Sequence, residues 1–268
     1  MAVDRSRAGS WRAYGSVFTH SFSALLAYSA SVWVNLLAMA AGFAFTFMVW
    51  HYALPAGPAQ APFFAYLALA FAANFSLGVA FERYVGERIR EGLIATDLLK
   101  PVDYSWFFFC QASSDMVFQG FFGLAVLGVS FAFLGPALLP ASGAALGLGV
   151  LSFALAFVVQ FHLGFLFMQM IFATHSNYGP FTLRMFMHLT FSGMFAPIDF
   201  YGGWFGALAG WLPFRHVIYT PCAIYLGRLQ GAQVGQALLS QLVWALVLMA
   251  VSRFSFDVIR RHLTIQGG

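Results

Sequence analysis

The chain has 268 residues, of which 61% are hydrophobic and 8% charged, with a formal net charge of +4. Soluble domains carry about 25% charged residues, so this composition excludes an ordinary soluble domain and describes a polytopic integral membrane protein. The few basic residues flank apolar runs instead of forming a patch, which points away from nucleic acid, and the two cysteines, Cys110 and Cys222, sit beside or within apolar segments, which points away from a disulfide framework.

The first residues, MAVDRSRAGSWR, lack a short apolar core followed by a small-residue cleavage site, so no removable signal peptide is read there. From Trp11 to Leu25 the bulky apolar residues are Trp11, Tyr14, Phe18, Phe22 and Leu25, with Arg12, Ser16, Thr19, His20 and Ser23 between them. That is one apolar stripe on a helix with a polar back, and it predicts a helix lying in the membrane interface.

A membrane-spanning helix needs about 20 apolar residues. Six runs qualify, at about 30–53, 61–82, 105–134, 143–173, 179–197 and 233–257. The two longest must tilt or extend beyond the bilayer. Orientation follows the basic residues. One side would hold Arg5, Arg7, Arg12, Arg83, Arg88, Arg90, Lys100, Arg184, Arg253, Arg260 and Arg261, the other only Arg215 and Arg228. Both termini and the hairpin between runs two and three are therefore read as cytoplasmic. No Gly-Ser-rich linker and no repeat of fixed period divides the chain, so residues 1–268 are read as a single domain.

The hairpin, ERYVGERIREGLIATDLLKPVDY from Glu82 to Tyr104, is too densely charged for hydrocarbon. Arg83, Glu87, Arg90 and Glu91 pair at helical spacings, while Val85, Ile89, Leu93 and Ile94 fall on another face. Gly92 interrupts the helix, and Thr96 or Asp97 caps a second short turn before Pro101. An ordered amphipathic hairpin of this kind is a docking surface, or else a solvated loop held at the headgroups by its arginines.

In the third run, Asp115 sits in QASSDMVFQ and shares one face with Gln111 and Gln119 at i,i+4 spacing. A carboxylate at the centre of a membrane helix costs roughly 2.5–3.5 kcal/mol. Either these three side chains face a cavity or a neighbouring helix, or the span begins late and leaves Asp115 near the headgroups. Residues 198–232 do not make one clean span: Pro197, Gly202, Gly203, Gly210, Pro213 and Pro221 break them, and Trp204, Phe205, Trp211, Phe214 and Tyr219 are interleaved. Tryptophan and tyrosine prefer the membrane interface, so short helices dipping into the outer leaflet and returning are expected.

Catalytic and metal chemistry finds little support. His20, His51, His162, His175, His188, His216 and His262 are scattered without an i,i+4 pair; His162 and His188, in different runs, could meet, but no cysteine or carboxylate sits near either in sequence. Met168, Met170, Met185, Met187 and Met194 suit helix packing or a soft apolar lining. No GxSxG elbow stands out. A phosphate-binding GxxxxGK[ST] loop is impossible, because Lys100 is the only lysine and Pro101 follows it. If ATP drives this protein, another subunit binds it.

Several short segments, in this order and spacing, are similar to those of permeases of ABC transporters of the ABC-2 type: IREGLIATDLLKPVDY (Ile89–Tyr104), FSGMFAPIDF (Phe191–Phe200), LPF (Leu212–Phe214), YTPCAIYLG (Tyr219–Gly227), QLVW (Gln241–Trp244) and QGG (Gln266–Gly268). The resemblance covers nearly the whole chain, and is to the six-span bacterial subgroup that works with a separate ATPase subunit. The chain departs from the pattern where Phe200 and Tyr201 are followed by Gly202, where Tyr28 is followed by Ser29, and where Ile171, Phe172 and Ala173 end the fourth run.

The resemblance implies an all-α integral membrane fold with six transmembrane helices, the N-terminal interfacial helix, a cytoplasmic coupling helix between spans two and three, and outer re-entrant helices between spans five and six. It implies an exporter of amphipathic or hydrophobic compounds in the bacterial inner membrane. Two permeases, identical or sister subunits, would pair in the lipid bilayer, each docking one ATP-binding subunit. The chain itself would be no enzyme and hold no cofactor, with ATP and Mg on the partner ATPase. Docking would fall to Gly86, Glu87, Arg88, Ile89, Arg90, Glu91, Leu93, Asp97, Leu98 and Lys100. The substrate path would run along spans one, two and five, past Asn35, Phe43, Phe71, Asn74, Phe75, Met187, Thr190 and Phe191. An ion-coupled secondary transporter would need intramembrane acids, for which Asp115 alone is available, and a membrane-embedded enzyme would need a convergent polar site.

Overall fold

In the computed structural model, the described residues are 11–27, 29–78, 86, 88, 103–174, 176 and 178–262. They are helical throughout, with no strand among them. The helices are α1 (Trp11–Ala27), α2 (Ser29–Ala53), α3 (Gln60–Ser76), α4 (Tyr104–Leu134), α5 (Gly143–Thr174), α6 (Tyr178–Phe191), α7 (Gly203–Trp211), α8 (Tyr219–Tyr225) and α9 (Ala232–His262). Three 3-10 turns, at Gly135–Leu138, Ile198–Phe200 and Pro213–His216, join them.

Among the described residues, three stretches are long and apolar enough to cross a membrane: Tyr104–Leu138, Gly143–Thr174 and Ala232–Arg260. Large apolar side chains stand exposed along them, including Phe121, Leu124 and Phe133 on α4 and Leu239, Leu246 and Phe254 on α9. Water would not tolerate such a surface, and hydrocarbon does. α4 and α5 have 31 and 32 residues, about 46–48 Å at 1.5 Å per residue, against a hydrocarbon layer of about 30 Å.

The core is built round α3. This helix is apolar on every face and is buried on nearly all of them, with Ala65, Tyr66, Leu67, Ala68 and Ala70 fully enclosed. Its alanines let neighbouring backbones approach. The closest approach is to α4: a Cβ on Gly123 would lie 2.6 Å from Ser76 Oγ and 2.8 Å from the Ala72 carbonyl. α5 and α9 form the second tight pair, and α8 packs on α5.

Polar side chains fasten α5 to α9. Ser152 Oγ donates to Gln241 Oε1 (2.8 Å), while Gln241 Nε2 donates to the carbonyls of Ser152 (2.8 Å) and His216 (2.9 Å). Further along, His162 Nδ1 lies 2.9 Å from Ser252 Oγ, and Gln169 Nε2 donates to the Ser252 carbonyl at 2.8 Å. Buried amides satisfied on both sides, as Gln241 is, fix one register between two otherwise smooth apolar helices.

α1 keeps its predicted stripe, and α6 ends earlier than its apolar run. The apolar stripe of α1 faces α4, with Tyr14, Phe18 and Phe22 half-buried and Phe22 edge-on to Phe118 at 6.0 Å. α4 covers part of that stripe. α6 ends at Phe191, six residues before the end of its apolar run, because the chain turns at Gly193 with φ +82°. Beyond it, residues 198–225 form two 3-10 turns and two short helices, divided where the Pro and Gly residues fall.

Candidate functional site

The bundle has two ends. At the proximal end the N-terminus of α4 meets the C-terminal part of α9: Tyr104 stacks on Phe256 at 5.0 Å, and the Arg253 guanidinium lies over Trp106 at 5.5 Å. At the distal end the Ala141 N–H, after α4, donates to the Tyr225 carbonyl of α8 at 3.0 Å.

The charged hairpin joins the bundle at the proximal end. Of its proposed docking residues, Gly86 and Arg88 are described; both are helical, Gly86 buried and Arg88 half-buried. Glu87, Ile89, Arg90, Glu91, Leu93, Asp97, Leu98 and Lys100 lie outside the described residues. The joint itself is well defined. Asp103 is the N-cap of α4, its carboxylate accepting the Trp106 N–H at 2.9 Å, and its own N–H donates to the Tyr14 hydroxyl of α1 at 3.2 Å. An N-cap stabilises a helix by roughly 1 kcal/mol. Here the same residue also ties the start of α4 to α1.

The proposed path residues fall into separate groups. Phe43 on α2 meets Phe71 on α3 edge-on at 5.2 Å. Asn74 Oδ1 lies 2.9 Å from His188 Nε2, which ties α3 to α6. Phe75 turns to α4 and meets Phe122 at 5.9 Å. Phe191 packs on Phe205 at 5.5 Å, and the Thr190 carbonyl accepts from the Tyr201 hydroxyl at 3.1 Å. Met187 is half-buried between these contacts, and the side chain of Asn35 lies outside the described residues. His188 is the residue that hydropathy reading leaves without a role. It is buried, and its second nitrogen, Nδ1, has no hydrogen-bond partner among the described residues. His162 and His188 do not meet; each has its own partner.

On α4, Asp115 is buried at 8% exposure, and the Gln111 amide oxygen is buried without a partner among the described residues. Gln119 on the same face is half-buried. This stretch belongs to the part of α4 that α1 lies against.

At the distal end a polar network encloses the break after α6. The Tyr66 hydroxyl donates to the Gly193 carbonyl at 2.6 Å, the Tyr219 hydroxyl donates to Asp199 Oδ1 at 2.5 Å, and the Tyr219 N–H donates to the Ser192 carbonyl at 3.0 Å. Arg228 lies 3.6 Å from Asp199 Oδ2 and over the Tyr66 ring at 5.2 Å, while Arg215 lies over Tyr219 at 5.3 Å. Sequence reading passed over Asp199, although it is the only acid between Asp115 and Asp257, and one of the two arginines of its side of the chain, Arg228, sits beside it.

A family model described as an ABC-2 family transporter protein matches residues 59–267. That is well over half of the chain, and the protein belongs to this family. No curated protein matches the chain.

Proposed function

Taking membership of the ABC-2 transporter family as the premise, we propose that this chain is the membrane permease subunit of an ATP-driven exporter in the bacterial inner membrane. It has six spans, of which α4, α5 and α9 are long enough by themselves, with the other three in the apolar runs that hold α2, α3 and α6, and with the proximal end and both termini in the cytoplasm. It moves an amphipathic or hydrophobic compound outward. A separate ATP-binding subunit, carrying ATP and Mg, docks on residues 82–104, and a second permease, identical or a sister subunit, completes the path.

The single observation that carries this reading is the family match over residues 59–267, which includes the charged hairpin. The capped joint at Asp103 supports the mechanical half of it. Nucleotide-driven closure of the ATPases would move the hairpins. Because Asp103 binds both α1 and α4, that motion reaches helices instead of being lost in a loose linker. The distal network at Tyr66, Gly193, Asp199 and Tyr219 then holds the short outer helices until the spans shift.

Co-expression of the permease with a candidate ABC ATPase subunit tests the proposal. The expected result is one complex that survives affinity purification in detergent and hydrolyses ATP faster once reconstituted in lipid. A permease that purifies alone and moves a substrate in response to an ion gradient would overturn it.

A further inference from the structure

Between α4 and α5 the bundle leaves a side groove. The two helices touch through rings, Phe109 against Phe157 at 5.3 Å and against Phe161 at 5.1 Å. Further along, a cavity of about 510 Å³ lies between them, floored by α3 and α8. On α4 it runs from Met116 to Leu127, roughly 10–27 Å from the end of that helix at Leu134. That places it within the depth of the hydrocarbon layer.

We propose that this groove is a binding slot for one acyl chain of a bilayer phospholipid. Its lining is apolar. Ser76, Cys222 and Tyr225 are its only polar side chains, and the Ser76 hydroxyl is already bonded to the Ala72 carbonyl at 2.9 Å. Nothing there would recognise a headgroup, an ion or a peptide. The groove opens sideways between Phe121 and Leu124 on α4 and Val150 on α5, all of them more than half exposed. What faces that opening at this depth is hydrocarbon. A further membrane helix does not seat inside it: a cylinder about 10 Å across and 30 Å long occupies roughly 2,400 Å³, about twice the empty space of about 1240 Å³ there.

The glycines of the groove separate packing from space. Gly123 is glycine because α3 lies against it, as its contacts with Ser76 and Ala72 show. Gly120, less than one turn earlier and also in the lining, has no atom of the described residues within 4 Å of the position its Cβ would take. Among the described residues no group fills that space, and it forms part of the slot. Helix packing does not require glycine at this position, and a side chain built there enters the groove without striking the backbone. The slot depends on the chain lying in a bilayer and not on the direction of transport or its fuel.

The full-length protein, reconstituted in nanodiscs containing a phosphatidylcholine with a diazirine at the end of one acyl chain, provides the test. Irradiation followed by peptide mapping should label the α4 stretch Met116–Leu127 and Phe153 severalfold above the exposed lipid-facing side chains Leu239, Val243 and Leu246 of α9. Gly120→Phe should abolish this excess and leave labelling of α9 unchanged, with an unaltered size-exclusion profile. Gly120→Leu should reduce it by less. Equal labelling of groove and α9 face in the wild type would overturn the proposal, as would an excess that survives both substitutions. Protein-to-protein adducts at Met116–Leu127 in place of lipid adducts would mean that another chain fills the groove, and would overturn it too.

Discussion

The Tyr66 hydroxyl and the Gly193 carbonyl meet at 2.6 Å with both residues buried, so the middle of α3 is bonded to the turn that ends α6. Gly193 can make that turn because its φ is +82°, and there is no room for more than a hydrogen on its Cα: a Cβ would lie 2.8 Å from the Tyr66 oxygen. Tyr66→Phe leaves a buried carbonyl without its donor, at a cost of about 1–3 kcal/mol. Gly193→Ala adds backbone strain of roughly 1–2 kcal/mol and the clash. Thermal unfolding in detergent should rank the variants wild type, Tyr66→Phe, Gly193→Ala. A Gly193→Ala protein with the wild-type midpoint would contradict the role given to this turn.

Asn74 and His188 join α3 to α6, and Asn74 and Thr190 are proposed to meet the substrate, so packing and recognition must be told apart. Asn74→Leu should lower stability by about 0.6–1.7 kcal/mol, the range for hydrogen bonds between membrane helices. Combining it with His188→Leu removes both polar partners and should recover much of that loss, a coupling that a double-mutant cycle measures. Transport should stay low in the recovered double variant, and lower still with Thr190→Leu. Full transport by Asn74→Leu together with Thr190→Leu would mean that these side chains serve packing alone.

How far these relationships were legible differs by kind. The helix limits of α5 and α9, Gly143–Thr174 and Ala232–His262, follow the apolar runs 143–173 and 233–257 closely, because chain length in hydrocarbon is what hydropathy measures. The end of α6 was not legible. Ser192–Ala196 reads as apolar, and a single positive φ leaves no trace in composition. Nor were the partners of Gln241, which lie 89 and 25 residues away at Ser152 and His216. Periodicity assigns a face to a residue and says nothing of who meets it. For the same reason the stripe of α1 was legible and its partner α4 was not.

Topology gives a third prediction. Trp204 and Trp211 on α7 are 77% and 80% exposed, one at each end of that short helix. Tryptophan favours the membrane interface. In a background with Cys110 and Cys222 replaced, cysteine at either position should react with an impermeant maleimide on intact cells. Cysteine at Arg88 or Arg261 should react only after permeabilisation. Labelling of Arg88→Cys from outside would invert the assignment of the proximal end to the cytoplasm.

The last prediction concerns the hairpin. If Gly86–Pro101 docks an ATPase, its apolar face fills a groove on that subunit, and Glu87, Arg88, Arg90, Glu91 and Asp97 form the rim. Rim charges tune association, while buried apolar anchors supply most of the affinity. Ile89, Leu93 and Leu98 are therefore the anchors. Replacing Ile89 and Leu93 together by Asp should abolish ATPase binding and transport at once, while Arg88→Ala should only weaken them. The permease itself should stay intact, because the substitutions lie outside the apolar runs and leave the Asp103 cap and its bond to Tyr14 in place. The measurement is recovery of the ATPase on the immobilised double variant, beside its size-exclusion profile and thermal midpoint. Full recovery with an unchanged profile would move the docking surface elsewhere. Loss of binding with the wild-type midpoint would separate docking from folding, since a hairpin that merely connected two spans would tolerate both aspartates.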